Sequence, residues 1–160
     1  MAKFATSSAM QPSLKGRALR ALSGREYSRV ELERKLKTYE ETPGDLALAL
    51  DDLQAKGFIS EQRVIESVIN RKSAKLGSAR IRQELQGKGL DKEAVIEAVA
   101  GLHATELERA REIWRRKFAA KSDELKTSPA ERGKQMRFLA ARGFSGDTIR
   151  RVMAASGDEE

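Results

Sequence analysis

The amino-acid sequence predicts an all-α protein, an elongated and curved array of three tandem three-helix repeats with nine helices. Three observations predict it: only three of the 160 residues are proline and β-branched runs are scarce, a glycine-ended helix pattern recurs, and one spacing of apolar residues repeats along the chain. Hydrophobic residues make up 39% of the chain and aromatic residues 5%, which suffices for helix packing but is thin for one large core. Small helical units that stack on their neighbours fit this composition.

The helix ends are indicated by the pattern L-x-x-x-G-φ, in which φ is apolar, at residues 53–58, 85–90 and 139–144. A glycine after the last helical turn adopts a left-handed conformation, and the apolar residue that follows folds back onto the helix. A cation stands before each glycine, where the helix dipole favours positive charge: Lys56, Lys88 and Arg142. The pattern therefore predicts three tight helix ends.

The helix starts are indicated by capping residues. Three N-cap residues have an apolar residue before them and another four positions after them, which forms a hydrophobic staple: Ser60, Asp91 and Ser145. Three further starts have an acid three residues after the cap: Ser28, Thr42 and Ser128. The predicted helices are therefore 13–22, 28–38, 43–56, 60–76, 78–88, 91–101, 104–121, 128–142 and 145–155.

An internal repeat groups these helices in threes. Two sets of apolar residues share the same mutual spacing: Leu32, Leu36, Leu46, Leu50 and Leu53 match Ile81, Leu85, Val95, Val99 and Leu102. A third set continues the series with polar Gln135 at its first position, followed by Leu139, Ile149 and Met153. We therefore predict a flexible tail at 1–12, repeats at 13–57, 58–102 and 103–155, and an acidic tail at 156–160.

The chemistry-bearing residues argue against an enzyme. Cysteine is absent, which removes disulfides and thiolate sites and agrees with a cytoplasmic location. The sole histidine, His103, has no partner at a catalytic or metal-ligand spacing, so a surface or capping role fits it best. No HExxH motif, phosphate-binding glycine loop or nucleophile elbow occurs. We expect no catalytic activity, no cofactor, no metal and, without an apolar run of about 18 residues, no membrane span.

The charge balance favours a polyanionic partner, nucleic acid above all. Lys and Arg number 31 against 24 Asp and Glu, a formal net charge of +7. The signs are segregated, with acids at 40–52 and 157–160 and cations in four runs. Arginine suits phosphate backbones because its guanidinium binds two oxygens together, although a solvated surface face is the alternative. The predicted contact residues are Lys15, Arg17, Arg20, Arg25, Arg71, Lys72, Lys75, Arg80, Arg82, Lys88, Arg111, Arg115, Arg116, Lys117, Lys134, Arg137 and Arg142.

The aromatic residues and one turn limit the kind of nucleic-acid contact. Trp114 and Phe118, four apart on a helix, fit packing, and Tyr27 and Tyr39 fit packing or partner contacts equally. No stacking platform for single strands is therefore predicted. The helix after Gly89, DKEAVIEAV, is acidic and apolar, so it offers no base-reading face for sequence-specific recognition. Contacts to the nucleic-acid backbone, or a charged groove on a partner protein, fit these residues better.

Three segments together resemble the RecX family of recombination regulators: LSGREYSRVELERKL at 22–36, RKSAKLGSARIRQELQGKGLDKEAVIEAV at 71–99 and LAARGFSGDTIRRVM at 139–153. The resemblance covers about residues 14 to 155. It implies three tandem three-helix repeats and a non-enzymatic, monomeric modulator of the recombinase RecA. Such a protein would lie in the groove of the RecA–single-stranded DNA filament and suppress ATP hydrolysis, strand exchange and repressor self-cleavage, either by limiting filament extension or by promoting disassembly. It would thereby modulate DNA repair, homologous recombination and the SOS response.

Two segments depart from the family pattern. After the first repeat the family usually carries G-φ-L-D-D-x-x-F-A, whereas residues 57–64 read GFISEQRV. The second helix of the first repeat ends in KTYEETP at 37–43 instead of a Lys-Gly-φ turn. The alternative hypothesis is a stand-alone helical DNA-binding protein that acts without RecA, on single-stranded or double-stranded DNA.

Overall fold

In the computed structural model, which describes residues 11–122 and 127–156, every regular element is helical. These residues form eight α-helices: α1 (Leu14–Gly24), α2 (Arg29–Leu36), α3 (Asp45–Ala55), α4 (Glu61–Lys72), α5 (Ser78–Gln86), α6 (Lys92–Phe118), α7 (Pro129–Ala141) and α8 (Gly146–Ala155). A short 3-10 helix, Lys37–Tyr39, follows α2. The predicted all-α class is confirmed. The predicted tails at 1–12 and 156–160 lie, apart from residues 11, 12 and 156, outside the described residues.

The chain divides into two compact units, unit 1 up to residue 61 and unit 2 from residue 62. Unit 1 contains one hydrophobic cluster, formed by α1, α2 and α3 together with Ile59. Unit 2 contains two clusters, one from α4, α5 and the first half of α6, the other from the second half of α6 with α7 and α8. Three three-helix modules therefore each have a core of their own. The repeat boundaries at 57/58 and 102/103 stay predictions.

The repeated positions of the sequence lie at the centres of these cores. Leu32, Ile81 and Gln135, which share the first position of the repeat, are each 0% exposed. The position four residues further on is also buried in all three modules. Burying one such leucine or isoleucine stabilises the fold by about 1.5–3 kcal/mol, so the repeated positions contribute substantially to folding. This confirms the repeat as a structural one.

Most helices begin at the predicted caps. The hydroxyl of Ser28 accepts the amide of Glu31 at 3.1 Å, and the Glu31 carboxylate accepts the Ser28 amide at 3.0 Å, which completes the predicted capping box of α2. Helices α6, α7 and α8 are capped by the predicted side chains, those of Asp91, Ser128 and Ser145. These starts were predictable because a cap is local to its helix.

The start predicted at Thr42 is wrong. Helix α3 begins at Asp45, after Gly44 with φ +95°, and no side chain of the preceding residue caps it. The carboxylate of Glu40 accepts the amide of Leu46 at 2.8 Å and supplies the missing acceptor from six residues away. The N-terminal amide of α3 is therefore capped by a glutamate outside the usual capping position, and not by the threonine that the sequence predicted.

Left-handed glycines end three helices as predicted, with φ of +81° at Gly57, +66° at Gly89 and +91° at Gly143. At the last of these the amide of Phe144 donates to the carbonyl of Leu139 at 3.2 Å, the bond that closes a Schellman ending. The turn between α7 and α8 is therefore tight, and its backbone has a defined position for other elements to contact.

The prediction of separate helices at 91–101 and 104–121 is wrong, because one continuous helix, α6, spans 92–118. Its first half belongs to the second module and its second half to the third. Gly101 lies where the break was expected, but its φ is negative, so it does not act as a helix-ending glycine. The hydroxyl of Thr105 bonds back to the Leu102 carbonyl at 3.4 Å instead of capping a new helix. The nine predicted helices therefore become eight over the described residues.

Candidate functional site

The start of α5 contacts the turn between α7 and α8, and we call this contact the α5 junction. The amide of Gly77 donates to the carbonyl of Arg142 at 2.7 Å, and the amide of Ala79 donates to the carbonyl of Gly143 at 3.2 Å. The two backbones are so close that a Cβ on Gly77 would stand 2.5 Å from the amide nitrogen of Phe144. Both glycines are needed here because no side chain fits between the two backbones.

Four of the predicted contact residues meet at the α5 junction, and we call them the junction basic cluster: Lys75, Arg80, Lys117 and Arg142. Arg80 donates from Nη1 to the carbonyl of Ala141 at 2.9 Å, and Arg142 donates from Nη1 to the carbonyl of Lys75 at 3.3 Å. The Arg142 guanidinium lies 4.9 Å and the Lys117 ammonium 5.7 Å from the centre of the Phe138 ring. These cations belong to three separate runs of the sequence, and the fold of unit 2 brings them together.

The electrostatics of the junction basic cluster suit an external anion. Arg80 and Arg142 donate to neutral carbonyls rather than to carboxylates. A carbonyl orients a guanidinium without neutralising its charge, and the carboxyl end of α7 favours a cation. Arg80 and Arg142 therefore keep their positive charge, while their guanidinium groups are held in place.

Three more predicted arginines of unit 2 are exposed and free of salt bridges to other described residues: Arg82, Arg111 and Arg137. Lys134 is also exposed and lies near Glu131, whose pKa it helps to lower after the larger effect of Lys121. Such exposed cations, spread along α5, α6 and α7, offer phosphate contacts beyond the junction basic cluster.

Other predicted residues are partly neutralised by nearby acids. Arg115 and Arg116 share the carboxylate of Glu112, at 2.7 and 3.1 Å. In the same unit, Lys72 lies 3.9 Å from Glu84. Such exposed ion pairs contribute little to stability, but they reduce the charge available to a partner.

The remaining predicted cations of unit 2 are placed less favourably. Arg71 is exposed, and its Nε donates to the carbonyl of Ser67 at 3.3 Å. Lys88, at the end of α5, is half-buried. Arg82 and Arg111 are therefore better placed to contact a partner than these two residues.

The sequence did not indicate the structural role of Arg109, which is half-buried. Arg109 on α6 stood in a basic run of the sequence, yet it donates from Nη1 to the carbonyls of Ser73 and Leu76 at 2.9 and 2.8 Å, and from Nη2 to that of Leu102 at 3.3 Å. Burial lowers the pKa of Arg109 below its ordinary value. This guanidinium closes the segment after α4 onto α6, which positions the start of α5.

Unit 1 contains a second group of predicted cations, and these lie beside tyrosines. The guanidinium of Arg17 lies 3.8 Å from the centre of the Tyr39 ring, and that of Arg25 lies 3.6 Å from the centre of the Tyr27 ring. Lys35 lies 5.9 Å from the same Tyr27 ring. Such distances are those of cation–π contacts.

Both tyrosines line one pocket of about 370 Å³, which we call the tyrosine groove. Its charged residues are Arg17, Arg20 and Lys35. Tyr27 and Tyr39, for which the sequence left packing and partner contacts open, therefore lie among cations in this unit. One feature of the sequence could have indicated this grouping: Tyr39 lies in the KTYEETP segment, which departs from the family pattern.

Two predicted cations of unit 1 have acidic partners. Lys15 lies 2.5 Å from the carboxylate of Asp52, and the hydrogen bond from Lys15, followed by that from Lys56, lowers the pKa of Asp52. Arg25 lies 3.0 Å from Glu31. Arg20, in contrast, is exposed and pairs with no acid among the described residues. Arg17 and Arg20 are therefore the cations of α1 that best suit an anionic partner.

The packing role predicted for Trp114 and Phe118 is confirmed. Their ring centres are 6.4 Å apart, and the Phe118 ring meets that of Phe138 edge-on at 5.3 Å. The indole Nε1 of Trp114 donates to Oε1 of buried Gln135 at 2.9 Å. The polar residue at a core position of the repeat is therefore explained by an indole N–H that needs an acceptor.

The described residues show no group of three metal-ligating side chains and no helix long and apolar enough to cross a membrane. His103 lies on the exposed side of α6, with Nδ1 3.5 Å from the carboxylate of Glu106 in the turn that follows. His103 is therefore exposed, as the sequence led us to expect, and its contact with buried Glu106 lies within one helix.

Comparison with known proteins gives consistent matches. Residues 60–99 match a family model described as the second three-helix domain of RecX, and residues 104–153 match the third three-helix domain. The chain is 47% identical over 149 residues to the regulatory protein RecX of Leptothrix cholodnii, covering 93% of this chain and 92% of the relative. It is 44% identical over 151 residues to that of Herminiimonas arsenicoxydans, covering 94% and 97%.

Solved structures agree on the fold. A crystal structure of RecX from Lactobacillus salivarius superposes with a TM-score of 0.73 at 19% identity, over 90% of this chain and 94% of the other. Because the two matched domains follow each other in order and the sequence identity extends over nearly the whole length, the chain belongs to the RecX family of regulatory proteins.

Proposed function

We propose that this protein binds in the groove of the RecA–single-stranded DNA filament and inhibits ATP hydrolysis, strand exchange and coprotease activity. Inhibition would act by limiting filament extension or by promoting disassembly, and would modulate DNA repair, homologous recombination and the SOS response. Family membership supports a regulatory role. The proposal includes a monomeric protein in the cytoplasm that uses no cofactor and catalyses no reaction of its own.

The observation that carries the proposal is the junction basic cluster. Its two arginines, Arg80 and Arg142, are held by carbonyls, and Arg142 also lies over the Phe138 ring, so both are preorganised and keep their charge. A nucleoprotein filament offers phosphates along its length, and many weak arginine and lysine contacts add up along such a partner. Arg82 on α5 and Arg111 on α6 are further exposed cations of unit 2, and we propose that they contact the filament as well.

The proposal predicts that the purified protein lowers the single-stranded-DNA-dependent ATP hydrolysis of RecA when present at less than one molecule per RecA monomer. The effect should weaken as salt is raised, because contacts to phosphate release counterions. The assay is steady-state ATP hydrolysis over a titration of the protein. Unchanged hydrolysis across a wide range of protein concentrations would contradict the proposal.

Charge reversal tests which surface is used. The double variant Arg82→Glu with Arg111→Glu should weaken inhibition about tenfold or more, because each reversal replaces an attraction to the filament with a repulsion. Both side chains are exposed, so the helical content measured by circular dichroism should stay at the wild-type level. Arg80 is left intact, because its bond to the Ala141 carbonyl makes it part of the α5 junction.

Lys92→Glu is the matched control. Lys92 is also an exposed cation of unit 2, at the first turn of α6, where an acid is favoured by the helix dipole. It stands outside the predicted contact residues, so its reversal should leave inhibition within about twofold of the wild type. Because Lys92→Glu reverses one charge, it is compared with the single variants Arg82→Glu and Arg111→Glu. Equal loss in the control and in the single variants would mean that net charge, and not the position of these arginines, determines binding.

A further inference from the structure

We propose that the tyrosine groove of unit 1 binds single-stranded DNA directly, with a base stacked on Tyr39 and the neighbouring phosphates held by Arg20 and Lys35. The inference rests on the proposed function, in which the protein meets single-stranded DNA, and adds which residues hold the strand. It predicts binding to DNA that carries no RecA.

The position of Tyr39 is the first observation. Its side chain is 49% exposed, although a tyrosine ring is large and mostly apolar. The 3-10 helix after α2 carries it, and the guanidinium of Arg17 stacks on the ring at 3.8 Å. A ring fixed in this way loses little conformational freedom when a base stacks on it. Every base offers a π-face, so such a platform accepts any sequence.

The charge of the tyrosine groove is the second observation. Its lining includes Arg17, Arg20 and Lys35 but no aspartate or glutamate. A second pocket of unit 1, of about 440 Å³, is larger, but in its lining Glu33 and Glu40 offset Arg34 and Lys37. A polyanion is attracted to the three cations of the tyrosine groove, whereas the charges that line the second pocket cancel. The tyrosine groove is therefore the better site for a polyanion because of its charge, although it is the smaller of the two pockets.

Interleaved aromatic rings and cations are the arrangement that single-strand binding requires. Tyr27 and Tyr39 line one pocket with three cations, so a strand that enters it meets aromatic side chains and positive charge together. Because the Arg17 guanidinium covers one face of the Tyr39 ring, the base would stack on the opposite face. A base in a duplex is already stacked and paired and has no free face for the ring. The tyrosine groove should therefore prefer single strands over duplexes.

The test is fluorescence anisotropy with a labelled oligothymidylate, without RecA. Tyr39→Ala should raise the Kd about tenfold, because one stacked base is lost. Tyr39→Phe should stay within about twofold of the wild type, because the ring is kept. Arg20→Ala should weaken binding and flatten its salt dependence. Binding of a duplex of the same length should be weaker and insensitive to Tyr39→Ala.

Leu48→Ala is the matched control, because Leu48 is an exposed apolar side chain of unit 1, 69% exposed on α3, that does not line the tyrosine groove. It should leave the Kd unchanged, and circular dichroism should show every variant folded. Absence of oligothymidylate binding by the wild type, or equal binding by Tyr39→Ala and the wild type, would overturn the inference.

The inference and the proposed function fail separately. If the wild type inhibits RecA but Tyr39→Ala binds the oligonucleotide normally, the tyrosine groove is not the strand site and the proposed function stands. If Tyr39→Ala loses oligonucleotide binding while the wild type leaves RecA ATP hydrolysis unchanged, the tyrosine groove is supported and the proposed function fails.

Discussion

Replacing Gly77 with alanine should lower the free energy of unfolding of unit 2 by about 3 kcal/mol, the upper range for overpacking a tight contact. The added Cβ would overlap the backbone of Gly143 and stand 2.5 Å from the amide nitrogen of Phe144. Both obstacles are main-chain atoms, so no side chain can rotate away to make room. The hydrogen bond from the Gly77 amide to the Arg142 carbonyl would weaken as the two backbones move apart.

Gly101→Ala is the control for this prediction, because it makes the same chemical change in the same unit. Gly101 lies inside α6, and a Cβ there meets nothing within 4 Å. Alanine is the better helix former, so this variant should gain about 0.8–1 kcal/mol. Urea denaturation followed by the fluorescence of Trp114, the single tryptophan, reports on unit 2 in both variants. A wild-type midpoint for Gly77→Ala would contradict the structural account of the α5 junction.

Replacing Arg109 with leucine should destabilise unit 2 by about 3 kcal/mol. The substitution keeps much of the apolar stem but leaves the carbonyls of Ser73, Leu76 and Leu102 without their shared donor. Buried carbonyls that lose a partner cost about 1–3 kcal/mol each when water cannot replace it. Arg109→Lys should recover only part of the loss, because an ammonium lacks the planar fork that reaches all three acceptors.

Arg111→Leu on the same helix is the control for Arg109. Its side chain is exposed and forms no salt bridge to another described residue, so its removal should change stability by less than about 0.5 kcal/mol. Thermal unfolding followed by circular dichroism measures both variants under the same conditions. Similar melting temperatures for the two variants would show that Arg109 is not the structural residue we infer.

The helix ends and starts were predictable from sequence because their signals are local. Gly143 and Ser145 specify the turn between α7 and α8 within a few residues, whatever the rest of the chain does. The repeated apolar spacing was predictable for a similar reason, since each module buries the same face of its helices. These signals were sufficient for the fold class and the three-helix modules.

The continuity of α6 was not predictable in the same way. Gly101 and Thr105 resemble the punctuation between two helices, and only the packing of the helix into two cores decides that it continues. The exposure of a charged residue was not predictable from sequence either. Arg109 and Arg82 both stand in basic runs, yet Arg109 is half-buried against carbonyls and Arg82 is exposed. Burial of a cation depends on contacts tens of residues away.

The sequence indicated which types of residue form the candidate site, but not which of these residues lie together in the fold. Arg80 and Arg142 are 62 positions apart, and the contact of Gly77 with the turn after α7 places both at one junction. The tyrosine groove depends likewise on a 3-10 helix that no periodicity indicates, since three residues are too few to show one. Long-range packing therefore decides which cations act together.

Cross-linking of this protein to RecA filaments assembled on single-stranded DNA shows whether the junction basic cluster faces the filament. With a lysine-reactive cross-linker and mass spectrometry, we expect links to RecA from Lys75 and Lys117 of this cluster. Lys92 supplies the internal comparison within unit 2 and should give few links. Links from Lys92 with none from Lys75 or Lys117, at full filament occupancy, would contradict the claim that this cationic surface faces the filament.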